Sequence, residues 1–244
     1  MKPKEGRMKE LLRERGLDGA IVSSPENFHY VTGFGGHQHT VSRQPGFTLA
    51  VMRSDDKAPT HITTMDFEAA TFRIKSAGLG FVVDPYDTWV GLKTWPEISQ
   101  GAALPDKARM ESSADKLEQF VKACDLADKR IGVEMDYLTV PYYNMIREKF
   151  PEARLVDISD LFVYARSIKT EEEIKMFREL CRIADHGFTQ VSRMAGIGVS
   201  EKEMSDCFRE DVIRSGFCVP SAWSMFSTGP SGARLGRRVR KTGL

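Results

Sequence analysis

The sequence predicts an α/β protein with a second, partial domain behind the first. Two observations predict it: helix and strand patterns alternate through the first two-thirds of the chain, and long capped amphipathic helices replace them after Arg166. A hydrophobic fraction of 41% with 28% charged residues suits a globular chain, and 244 residues suffice for one large domain plus part of another. The expected division is 1–165 and 166–244.

The elements follow in order. Met8, Leu11 and Leu12 share a helical face that Gly16 closes, and Ala20–Val22 is a short apolar strand. Phe47–Met52 and His61–Thr64 read as strands around a Ser54-Asp55-Asp56 turn. Asp66 caps a helix through Lys75, ended by Gly78, and Leu79–Val83 is a strand. Residues 84–105 hold Trp, Pro and Gly and read as loop, with Tyr86 and Trp89 packing on the domain edge. Leu117, Phe120, Val121 and Cys124 form a helical stripe, followed by strand Ile131–Val133, helix Tyr142–Phe150 and strand Arg154–Val156. This alternation predicts helices packed on a mostly parallel sheet. Beyond it, Thr170-x-x-Glu173 and Ser200-x-x-Glu203 are capping boxes. The first opens a helix with Ile174, Phe177, Cys181, Ala184, Phe188 and Val191 on one face. The second opens a helix with Met204, Cys207 and Phe208 inward, ended by Gly216. Val219–Ser227 reads as a strand. Two helices and one strand do not enclose a core, so the second domain reads as begun and not finished.

Charge and composition exclude several classes. A net charge of +1 lacks the electrostatic footprint of a nucleic-acid or membrane binder. No apolar run approaches the ~20 residues that span a bilayer. The N-terminus is charged and without a secretory apolar stretch, so the expected location is cytoplasmic. Cys124, Cys181, Cys207 and Cys218 form no CxxC pair and read as reduced core thiols. Glu134-x-Asp136 and Asp157-x-x-Asp160 read as caps and solvated turns, Ser159 and Asp160 standing where a short helix starts. Glu171–Glu173 is the acidic first turn of a helix, favourable to its dipole. The tail gathers Arg234, Arg237, Arg238, Arg240 and Lys241; it reads as a chain end and not as an RNA-binding arm.

A succession of short motifs carries a family resemblance. Residues 16–34 run Gly-Leu-Asp-Gly-Ala-Ile-Val-Ser-Ser-Pro-Glu-Asn-Phe-His-Tyr-Val-Thr-Gly-Phe. Arg130-Ile-Gly-Val-Glu134, Arg166-Ser-Ile-Lys-Thr-Glu-Glu-Glu-Ile174, Ala184-Asp185, Gly198–Met204 and Ser227-Thr-Gly229 follow in order. The set resembles the creatinase/prolidase/aminopeptidase P family. The resemblance implies an N-terminal mixed sheet flanked by helices, then the start of an α+β pita-bread catalytic domain. It also implies a homodimeric hydrolase with two divalent ions, Mn, Co or Zn, held by two Asp, one His and two Glu and activating a bridging water on a peptide, most often at an Xaa-Pro linkage. None of those ligands carries over: after Asp211 the sequence holds no Asp or Glu, after His186 no His, and Ala233, Arg234 and Leu235 stand where the active-site His is expected. The expectation is therefore a fragment that stops before the metal-binding motifs and binds no metal alone.

The loop after Gly33-Phe34 remains. In the family it reaches the partner subunit's active site, and creatinase-like members place there an arginine that holds a substrate carboxylate; Arg43 is the match. His37 and His39, two apart, would share a face in a strand, but they supply only two ligands and lack a third. His37, His39 and Arg43 are the substrate-loop candidates, the plain reading being a polar loop at the domain edge. Two other functions fit: a creatinase-like amidinohydrolase acting on a small C–N bond, and a non-catalytic pita-bread module that binds a partner.

Overall fold

The computed structural model describes residues 3–88, 95–101 and 111–217. The chain divides into two compact units, Met1–Ile168 and Lys169–Leu244. In the first, helix α1 (Glu5–Glu14) buries Met8, Leu11 and Leu12, and Gly16 with φ 69° turns the chain into β1 (Gly19–Val22). Helices α2 (Pro25–Thr32) and α3 (His37–Ser42) precede β2 (Leu49–Arg53) and β3 (His61–Thr63). A 3-10 turn (Asp66–Glu68) leads into α4 (Ala69–Ser76), β4 (Val82–Val83) and the single turn α5 (Trp95–Ser99). Then come α6 (Ser113–Ala123), β5 (Arg130–Val133), α7 (Val140–Lys149), β6 (Arg154–Asp157) and α8 (Ser159–Ser167).

The six strands form one sheet in the order β4-β3-β2-β1-β5-β6. The pairs β1/β5, β5/β6 and β3/β4 are parallel, whereas β1/β2 and β2/β3 are antiparallel. A mixed α/β sheet flanked by helices is what the family resemblance implies; alternation alone overstated its parallel character. The reason is local. The 54–60 connection is too short for a crossover, so β2 and β3 make a hairpin. Its turn is fastened by Arg53, whose Nε lies 2.5 Å from Asp55, and by the Lys57 amide donating to the same carboxylate.

Strand alternation sorts the core into two layers. Ala20, Val22, Ala50 and Met52 face one side, with Met8, Leu12, Phe28, Phe72 and Phe162 from α1, α2, α4 and α8. Ile21, Leu49, Val51, Ile131 and Val133 face the other, with Leu117, Phe120, Val121 and Ile146 from α6 and α7 and Phe150 from the C-cap of α7.

In the second unit both capping boxes form, opening α9 (Glu171–Met194) and α10 (Glu201–Arg214), and Gly216 follows with φ 82°. The buried row of α9 is Ile183, Gly187 and Val191, of which only Val191 belongs to the expected stripe; Phe177 and Phe188 are exposed. Gly187 sets this rotation, because a Cβ there would lie 2.8 Å from the Phe208 ring of α10. The Phe188 and Phe208 rings meet at a tilt with centroids 5.0 Å apart, and His186 Nδ1 lies 2.8 Å from Asp211.

Other expectations shift in detail. The 84–105 stretch contains the turn α5, the strand near Leu79 shortens to β4, and Cys181 is exposed instead of a core thiol. Cys124 is buried and its thiol is pushed up to about 11 by that burial. Among the described residues no helix is long and apolar enough to cross a membrane. Trp89, Cys218, the 219–227 strand and the basic tail lie outside the described residues.

Candidate functional site

Parallel pairing of β1 with β5 brings their carboxyl ends to one edge of the sheet, the edge where α/β folds favour ligand crevices. Val22 is followed there by Ser23 and Ser24, and Val133 by Glu134. Ser24 N-caps α2, Pro25 supplies its preset φ, and Gly33 ends it with φ 82°. The fully buried Glu134 carboxylate then accepts from the Ser23 and Ser24 amides, from Ser24 Oγ and from Asn27 Nδ2 at 2.6 Å. An acid at a helix N-terminus is doubly favourable, satisfying orphan amides and the helix dipole together. Glu134 is therefore no solvated turn residue, as its position after a strand suggested.

Helix α3 is capped in the same manner from a distance. Gly36, its N-cap, has no side chain to offer, and Glu68 accepts from the Gln38 amide at 3.0 Å. A Cβ at Gly36 would strike Glu68 and come within 3.0 Å of Phe72, so this close approach requires glycine. From His37 the segment is thus helix and neither strand nor loop, and the two histidines part company about 200° around it. His37 is exposed. His39 is 1% exposed, edge-on to Phe28 at 5.4 Å, with Nε2 2.7 Å from the Ser23 carbonyl. Since a carbonyl only accepts, Nε2 carries the proton, and Nδ1 is a buried acceptor with no partner among the described residues. Burial pushes the His39 pKa down, against a smaller opposing effect of the Ser23 hydrogen bond.

Arg43 ends α3 in the left-handed region, φ 51°. A non-glycine residue there costs about 1–2 kcal/mol, and glycine is the usual choice. The half-exposed guanidinium grips Glu26 in a fork, Nη1–Oε1 2.5 Å and Nη2–Oε2 3.1 Å. This hydrogen bond is the main reason that the Glu26 carboxyl is held below the ordinary value, with Arg166 adding a smaller share. Beside them, the Tyr137 hydroxyl is buried and has no partner among the described residues; burial pushes it up to about 12. The corner thus brings Arg43, Glu26 and Tyr137 together, places His39 beneath as support and leaves His37 outside. Sequence reading missed Glu26, Glu134 and Tyr137; the Ser24-Pro25-Glu26 helix start was the available signal.

Among the described residues no group of three His, Cys, Asp or Glu could hold a metal ion. The two divalent ions implied by the resemblance therefore do not fit these residues.

The family described as Creatinase/Prolidase N-terminal domain matches residues 6–168. The uncharacterized peptidase YqhT of Bacillus subtilis (strain 168) is 28% identical over 196 residues, 80% of this chain and 44% of that protein. The Xaa-Pro dipeptidase of Lactobacillus delbrueckii subsp. lactis is 24% identical over 197 residues, 80% of this chain and 45% of its own. In fold, the chain resembles the crystal structure of recombinant prolidase from Thermococcus sibiricus, with TM-score 0.71 and 16% identity over 99% of this chain and 57% of that one. The chain spans under half the length of these two curated relatives. With two-thirds of its residues inside the matched domain, it belongs to the creatinase/prolidase family.

Proposed function

We propose that this chain supplies the substrate-selecting portion of a metal-dependent hydrolase that cleaves peptides at an Xaa-Pro linkage. Family membership supports the hydrolase class, and the names of the relatives, a peptidase and an Xaa-Pro dipeptidase, support the substrate class. The observation that carries the selecting role is the Arg43 fork. Its two-point grip on Glu26 is the contact that a dipeptide's terminal carboxylate would make. In this reading a pair of divalent ions, for which the described residues offer no ligands, would supply water activation, and the described residues contribute recognition only. Two copies associate in the cytoplasm, and the α3 corner of one serves the active site of the other.

Replacing Arg43 by Gln in the intact protein is expected to raise KM for an Xaa-Pro dipeptide roughly 10- to 100-fold, the worth of one charged hydrogen-bonded anchor, with kcat retained. Unchanged KM and kcat would sink the reading. The same anchor suits a creatinase-like amidinohydrolase, and turnover of creatine in place of dipeptide decides for it. A non-catalytic partner-binding module is the second reading, favoured by exposed Met176, Phe177, Leu180 and Phe188 on α9. Absence of turnover from the intact, folded and metal-supplied protein, catalytic domain included, decides for that module.

A further inference from the structure

Arg43 presents a complete carboxylate-binding fork, yet a carboxylate from the same chain already fills it. The occupant, Glu26, stands in the first turn of α2, and both oxygens are engaged. We propose that Glu26 is a built-in surrogate for the ligand carboxylate: it holds the Arg43 fork in register while the site is empty and must yield it when a carboxylate-bearing ligand enters. This rests on the reading of Arg43 as a carboxylate anchor and adds a residue that sets its affinity and selectivity.

Three features make the exchange feasible. Both partners are about half exposed, Arg43 51% and Glu26 47% by side chain, so neither is stranded in a dry interior when the pair opens. Glu26 keeps favourable surroundings after release, because the α2 N-terminus and the Arg166 charge still act on it. Arg43 cannot drift far, since its backbone is fixed by the amide donating to His39 O at 3.2 Å and by the left-handed turn.

A pair of this exposure closes with an equilibrium constant of roughly 1.4 to 5, and apparent affinity for a competitor falls by one plus that constant. Removing the competitor should therefore tighten ligand binding roughly 2- to 6-fold. The probe is N-acetylproline, titrated into the 15N-labelled 244-residue chain and followed at the Arg43 Nε–H resonance, with N-acetylproline amide as the uncharged control. Glu26→Gln is expected to bind N-acetylproline more tightly by that factor and to remain indifferent to the amide. Binding unchanged or weakened in Glu26→Gln, with binding lost in Arg43→Gln, overturns the surrogate and leaves the anchor standing. N-acetylproline affinity that does not depend on Arg43, followed through the neighbouring backbone amides in Arg43→Gln, removes the anchor and the surrogate together. Thermal midpoints of both variants within a few degrees of the parent establish that the comparison is between folded proteins.

Discussion

Donors from Ser23, Ser24 and Asn27 converge on the Glu134 carboxylate, and no water-exposed surface is available to replace it. Replacing Glu134 by Ala leaves these donors buried without an acceptor. The expected loss is at least about 3 kcal/mol of unfolding free energy, measured by urea denaturation. Glu134→Gln keeps one acceptor oxygen and should lose about 1–2 kcal/mol. A wild-type midpoint for Glu134→Ala would show that water reaches the corner after all. The importance of Glu134 was not legible in sequence, because its partners lie 107 to 111 residues away and a lone acid after a strand normally faces solvent. Arg43 was legible as a family position, but its occupant was not: nothing local marks Glu26 as lying within reach of it.

Helix α3 illustrates why some elements escape a sequence reading and others do not. Six residues with a glycine N-cap carry no local start signal, since the cap comes from Glu68. Helices α9 and α10 announce themselves through Thr170/Glu173 and Ser200/Glu203, and both boxes form. The packing face of α9 was misread because periodicity counts large apolar side chains, whereas the contact is made where Gly187 admits Phe208. Helix α3 is also where pH should act on stability. Buried His39 holds its proton less tightly than the unfolded chain, whose value is about 6.5. Below that pH the unfolded state binds the extra proton and stability falls, until the folded histidine protonates as well. His29 and His61, also pushed down by burial, act in the same direction. His39→Phe should retain the ring contact with Phe28 and flatten the decline in urea midpoint between pH 7.5 and 5.5. An unaltered slope would assign the effect to the other two histidines.

At the scale of the whole molecule, both hydrophobic layers lie within residues 1–168, while the described part of the second unit buries only Ile183, Val191 and Met204 among its large apolar residues. Residues 1–168 expressed alone should therefore unfold in one cooperative urea transition, with retained far-ultraviolet dichroism. A broad, non-cooperative transition would mean that the sheet depends on the second unit. The distant caps have a bearing on how the protein is made. Helices α2 and α3 are eight and six residues long, well short of the ~12–15 at which an isolated helix persists in water. Their polar ends are satisfied by Glu134 and Glu68. During synthesis the chain through Val133 can pair β1 with β2 and β2 with β3, yet it still lacks the acid that closes α2. The arginine corner is thus completed only when the ribosome has delivered Glu134 and Tyr137, beyond β5, and a chain released before that point would carry Arg43 and Glu26 without the acid that closes α2.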